Sequence, residues 1–258
     1  MKFLTGLSLL SLIPSSFAVP TVSHHRRNDL AHTEQPLIKL KPQRTSSREL
    51  VNLDGLWKFT LASGVNDTSQ PWTAPFPRGS LECPVPASYN DIFVDRDIHD
   101  HVGWAYYQRD VFVPKGWSKE QYFVRAESAT HHGRIYVNDR LLAEHVGGYT
   151  PFEADITDFV TAGDKFRLTI GVNNELTHET IPPGKIEIGE GTGKRIQTYN
   201  HDFYNYAGLA RSVWLYSVPR QHIEDITLVT DVEGETGLVN YKIKVASNST
   251  EQIKISVI

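Results

Sequence analysis

The residues best suited to chemistry lie between Tyr199 and Tyr216, in the run YNHDFYNYAGLARSVWLY. Four Tyr, one Phe, one Trp, two Asn, one His and one Asp are crowded there, just ahead of the alternating segment RSVWLY. Flat rings offer faces to C–H groups, and a carboxylate with amides between them takes hydroxyls, so the composition suits a sugar. Tyr and Trp also fill ordinary cores with their polar tips satisfied at the edge, and composition alone leaves that alternative open.

Other reactive residue types are spaced less tellingly. Glu175 and Glu179 are four apart, which would share a helical face, but Pro182 and Pro183 follow at once and cannot continue a helix. A loop that shapes a site, with a solvated acidic pair, is the expectation. His99, His101, His131 and His132 occur as HxH and HH pairs with no third ligand placed by sequence, so neither a metal nor a cofactor is expected. Cys83, in ECPVP, is the single cysteine; no intramolecular disulfide is possible, and it reads as a small buried hydrophobe. Lys185, Lys194, Arg195 and Arg211 read as surface or strand-edge charges.

The elements that must hold these residues are strands. Ala105 to Val113 is aromatic and β-branched, and Gln121 to Glu127 and Gly133 to Val137 follow. Asn138-Asp139 then turns the chain into Leu141-Leu142 as a hairpin. Phe166, Leu168, Ile170 and Val172 alternate with Arg167, Thr169 and Gly171, which sets one face on a core. Turns of Gly, Pro, Asn and Asp separate these segments, and no long helical period appears. The pattern predicts an all-β sandwich. A second unit begins near Gln221, with strands at Ile223 to Val232, at Val239 to Val245 and at Ile253 to Val257. An immunoglobulin-like sandwich needs about seven strands, so three would leave an apolar face uncovered.

The run at Tyr199 does not stand alone. LDGLWKF (Leu53 to Phe59), VPASYND (Val85 to Asp91), YYQRDVFVPKGW (Tyr106 to Trp117), THHGRIYVN (Thr130 to Asn138), GGYTPFEADIT (Gly147 to Thr157) and VNNELTHETIPPG (Val172 to Gly184) precede it in order. Together these segments resemble the N-terminal sugar-binding domain of the β-glucuronidases of glycoside hydrolase family 2. The resemblance implies a jelly-roll, galactose-binding-like β-sandwich over 46–220, followed by an incomplete immunoglobulin-like sandwich over 221–258. In that family Asp202 would correspond to an aspartate that reaches into the active site and accepts hydrogen bonds from sugar hydroxyls. Read alone, Asp202 is better explained as the cap of a local turn. His201 and Tyr206 are possible supports of the same loop, and Tyr204 and Asn205 are expected to hold it rather than touch sugar. Retaining glycosidases use two carboxyl groups about 5–5.5 Å apart. The family carries that pair as glutamates in a (β/α)8 barrel, so no catalytic residue is expected in this chain, which reads as a fragment or a truncated gene product. The family's cation for the uronate carboxylate also lies in the barrel. The full-length protein would be a homo-oligomer.

The remaining features set the context. Lys2, the apolar run Phe3 to Ile13 and the small residues at Ser16-Phe17-Ala18 read as a signal peptide over 1–18, hence secretion to the extracellular side. The apolar run is too short to span a bilayer, so no membrane partner is expected. Residues 19–45 are polar, basic and dotted with proline, as in a pro-segment or surface arm. Asn66 and Asn248 open glycosylation triplets. A net charge of −4 without a basic stripe excludes nucleic acid as a partner. The expected ligand is a β-glucuronide or another carbohydrate. A free carbohydrate-binding module, a β-galactosidase-type fragment and an inactive remnant acting through protein contacts are the alternatives.

Overall fold

A computed structural model describes residues 40–62, 70–118 and 120–247 of the chain. The expected signal segment, most of the leader, Asn66, Asn248 and the strand expected at Ile253 to Val257 lie outside the described residues. In chain order the strands are β1 (Glu49–Asn52), β2 (Gly55–Leu61), β3 (Leu81–Val85), β4 (Trp104–Phe112), β5 (Glu120–Ala126), β6 (His132–Val137) and β7 (Arg140–Val146). They continue with β8 (Phe152–Asp155), β9 (Lys165–Asn173), β10 (Lys185–Ile188), β11 (Arg195–Thr198), β12 (Val213–Pro219), β13 (His222–Glu233) and β14 (Thr236–Ala246). Among the described residues the α-helices are two four-residue turns, α1 (Tyr89–Ile92) and α2 (Arg96–His99).

Two antiparallel sheets form a β-sandwich. One has six strands in the order β3-β2-β4-β9-β6-β7 and the other four in the order β1-β12-β5-β8. Alternation explains which side chains lie between them. Phe166, Leu168, Ile170 and Val172 of β9 are all buried in one cluster with Trp57 and Phe59 of β2 and Tyr107 of β4. Val124 and Ala126 of β5, Ala154 of β8 and Val213 and Leu215 of β12 close the cluster from the opposite sheet. Each such aliphatic or aromatic side chain contributes about 1.5–3 kcal/mol when removed from water. The indole of Trp57 donates to the Leu53 carbonyl at 2.9 Å, so the largest side chain of the core carries no unmet donor.

The outer face of the six-stranded sheet is not open to water as simple alternation suggests. The segment after Gln70 folds across it. Trp72 stacks on Tyr136 with ring centres 4.7 Å apart and leans on Tyr106 at 5.6 Å. Gln108 fixes that segment by accepting from the Phe76 amide and donating to the Ala74 carbonyl. Cys83 is fully buried on β3, as expected, and burial pushes its thiol up to about 11.

Asn138, at the β6–β7 turn, has a φ of 56°, a left-handed conformation that Asn tolerates. Two of the three strands expected after Gln221 are described, and β13 and β14 form a long hairpin closed through Gly234. Leu228, Val229, Val232, Val239 and Tyr241 on it are exposed.

Candidate functional site

The loop between β11 and β12 carries the residues singled out by sequence. Its first part is a column of rings. Tyr199 and His201 stack with centres 4.0 Å apart and planes 4° apart, and His201 stacks on Phe203 at 4.1 Å. The chain bends over 200–203, and rings two residues apart along it fall into one stack. His201 Nδ1 donates to the Phe203 carbonyl at 2.9 Å, so this histidine orders the loop. Asp202, between the stacked rings, is exposed and makes no hydrogen bond to any described residue. Its side chain does not cap a local turn.

The second part of the loop is anchored by buried amides. The Tyr204 hydroxyl donates to the His99 carbonyl at 2.6 Å, and burial, with Asp100 adding to it, pushes that phenol up to about 12. Asn205 is 4% exposed; its amide donates to the Asn174 carbonyl at 3.1 Å. That bond identifies the other amide atom as oxygen, so His131 Nε2, 2.6 Å away, must be the donor to it. His131 is 2% exposed, and burial holds its ring below the ordinary histidine range despite the Asn205 contact. Asn174 in turn accepts from the Gly103 amide and donates to the His101 carbonyl. Asn90 accepts from the Ala207 amide and donates to the His99 carbonyl. The Thr130 amide and hydroxyl both donate to the Gly208 carbonyl. Beyond the loop, Asp54 takes the Ser212 hydroxyl and the Val213 amide, which fixes the start of β12.

The remaining candidates make contacts of their own. Tyr206 shares the loop but turns its ring edge to Tyr204 and is 51% exposed. Glu175 and Glu179 sit in a non-helical loop, and the Glu175 carboxylate is held by Arg195. Lys185 pairs with Glu187, Lys194 with Asp97, and Arg211 donates to the Tyr149 carbonyl. His132 bonds Glu144 at 2.6 Å beside Arg134, and its ring lies against Trp104. The His99 ring bonds Asp100 and the His101 ring the Trp104 carbonyl, so with His131 on Asn205 and His132 on Glu144 the four rings serve four different partners. Among the described residues no group of three His, Cys, Asp or Glu is arranged to hold a metal ion.

A cavity of about 590 Å³ opens beside the ring column, walled by Pro182, Pro183, Thr198, Tyr199, His201 and Phe203. Asn205 holds the loop, as expected from the sequence, but sequence reasoning missed the anchors Asn90, Asn174 and Asp54. Their motifs were visible, but their convergence on one loop depends on contacts 31 to 159 residues apart.

With this geometry in place, the likenesses to known proteins are informative. Residues 50–219 match the family described as "Glycosyl hydrolases family 2, sugar binding domain". The chain is 42% identical over 209 residues to a β-glucuronidase of Paenibacillus borealis, covering 80% of this chain and 35% of that protein. It superposes on a β-glucuronidase of an uncultured Clostridium species with a TM-score of 0.73 and 37% identity, covering 83% of this chain and 36% of the other. A Ruminococcus gnavus β-glucuronidase in complex with D-glucaro-d-lactam gives a TM-score of 0.72 at 29% identity, covering 81% and 36%. The chain thus spans about a third of the length of these relatives.

Proposed function

Since the chain belongs to the glycosyl hydrolases of family 2, by way of their sugar-binding domain, we propose that it is the sugar-contacting N-terminal part of a retaining β-glucuronidase. Hydrolysis of β-D-glucuronides is then the activity of the whole enzyme. The observation that carries this reading is the state of Asp202. Its carboxylate is exposed and engaged by none of the described residues, on a loop whose flanks are fixed by stacked rings and buried amides. An ionised carboxylate is acceptor-only and can take two hydroxyls at once, which is what a sugar offers. Several other carboxylates are committed, Glu153 to Arg125 and Tyr216, Glu144 to Arg134 and His132, and Glu175 to Arg195, while Glu179 is exposed in its own loop.

Two experiments test this. The purified 258-residue chain should release no chromophore from an aryl glucuronide; hydrolysis by it would place the catalytic pair in this chain and refute the division of labour. In an intact enzyme carrying this domain, Asp202→Asn should lower kcat/KM by about 10- to 150-fold, the worth of a hydrogen bond to a charged group. An unchanged kcat/KM removes Asp202 from the subsite. Micromolar binding of glucuronides by the isolated chain would instead mark a self-sufficient binding module. Export belongs to the same proposal, supported by the signal-like first eighteen residues and the triplets at Asn66 and Asn248. N-terminal sequencing and deglycosylation of the recovered protein check it; an intact Met1 or an unshifted mass would refute export or glycan attachment respectively.

A further inference from the structure

We propose that residues 40–48 form a strap that fixes the angle between the β-sandwich and the β13–β14 hairpin, with Arg48 as its latch. The hairpin needs such a device. β13 and β14 make a two-stranded sheet of their own and join neither sheet of the sandwich. Between Pro219, the last residue of β12, and His222, the first of β13, the chain has only Arg220 and Gln221. His222 Nδ1 donates to the Pro219 carbonyl at 2.8 Å, a bond confined to the link itself. A two-residue link limits how far two bodies part but leaves their angle free. The space between them is not filled either. A groove of about 520 Å³ separates them, with Phe123, Tyr216 and Val218 of the sandwich on one side and Ile223 and Ile226 of the hairpin on the other. Two units that meet across a groove rather than a packed apolar interface move relative to one another by default.

The strap closes this junction from 175 residues away. Its own backbone is tied to the sandwich. Thr45 and Arg48 close a two-residue turn, in which the Thr45 amide donates to the Arg48 carbonyl at 3.1 Å and the Ser47 amide to the Thr45 hydroxyl at 3.2 Å. Before the turn, Arg44 Nη2 donates to the Leu50 carbonyl of β1 at 3.1 Å. Lys41 lies over the Trp214 ring of β12, 5.8 Å from its centre.

Strand register then brings Arg48 to the hinge. Glu49 faces Ser217 in the antiparallel β1–β12 pair, so the residue before Glu49 lies at the end of the sheet where β12 runs out toward Pro219. Arg48 is half-buried there, and its Nη2 donates to the Ile223 carbonyl at 3.0 Å. That carbonyl sits where the hairpin ladder is irregular, since the register shifts between Ile223 and Asp225. A bulge is where a paired strand bends, so the latch grips the hairpin at its pliable end. With Asp202 read as a sugar contact, the strap sets the direction from which the sandwich presents that carboxylate to whatever follows the hairpin. This consequence rests on that reading; the strap itself does not.

Amide residual dipolar couplings of the 258-residue chain test the strap directly. Couplings from β9 and β13 should fit one alignment tensor in the parent and require two in Arg48→Ala. Trypsin gives a second readout, because Arg220 is exposed in the link and cleavage there tracks the open population. Arg48→Ala should speed the cut after Arg220 by about two- to tenfold, the worth of one net hydrogen bond. Cleavage after Arg167, inside β9, should stay at the parent rate. Arg48→Lys, which keeps a charged donor at the position, should be cut at an intermediate rate. Two tensors in the parent, unchanged couplings and cleavage in Arg48→Ala, or an equal acceleration after Arg167 overturns the proposal. Should Arg48→Ala not fold, Arg44→Ala loosens the turn without touching the hairpin and should speed the same cut; an unchanged rate overturns the strap. None of these readouts involves a sugar, so their failure leaves the Asp202 contact standing, and loss of that contact leaves the strap standing.

Discussion

Asn205 does more for the candidate site than any residue visible as reactive. It ties the loop to His131 and to Asn174, and all three are buried. Asn205→Ala leaves the His131 Nε2 hydrogen and the Asn174 carbonyl without partners, and should cost about 1–3 kcal/mol in chemical denaturation; a midpoint unchanged from the parent would refute the anchoring role. His131 also belongs to a group with His101, His132 and His145, all held below the ordinary range chiefly by burial. The unfolded chain takes up these protons near pH 6.5, and the folded chain only at lower pH. Between those limits the unfolded state binds more protons, so stability is complete above about pH 6.5 and falls as the pH drops below it. Denaturation midpoints measured through that window should decline, and a flat profile would show that the imidazoles titrate alike in both states. Sequence pointed to the ordering role of His201, which depends on residue type and near neighbours, whereas a sugar contact by Asp202 was expected only from the family resemblance. It could not expose the amide relay, since nothing in an isolated asparagine tells which distant carbonyl it will meet.

Strands were the readable elements. The period of two in Phe166 to Val172 and in RSVWLY appears directly as the inward faces of β9 and β12. The covering of the opposite face was not readable, because the segment at Pro71–Phe76 is rich in turn formers and gives no sign that Trp72 lies on Tyr136. Strand glycines carry constraints of the same hidden sort. Gly133 sits on β6, where a Cβ would come within 2.5 Å of Phe152 Cζ and 2.8 Å of Ala129 Cβ. Gly133→Ala must displace the Phe152 ring, and about 1–3 kcal/mol of destabilisation is expected from the overpacking. Urea unfolding measures it, and a neutral result would mean that the two sheets can part locally without loss.

At the level of the whole molecule, the first and last strands of the sandwich are neighbours. β1 pairs with β12 from Glu49↔Ser217 to Asn52↔Trp214, and Asp54 reinforces the seam through a contact 159 residues away in sequence. Deleting the chain through Asn52 would strip that strand and leave β12 as a bare edge, the usual template for unwanted pairing. The shortened protein should melt lower and self-associate at concentrations where the parent stays monodisperse, as light scattering would report; equal behaviour would demote β1 to decoration. The seam also ties the domain to the clock of the ribosome. At about 5–20 residues per second, β1 emerges roughly 8 to 32 s before its mate. Throughout that wait a nascent polypeptide holds an unpaired ribbon, so a stall or premature stop before Pro219 yields a client for chaperones rather than a smaller folded product.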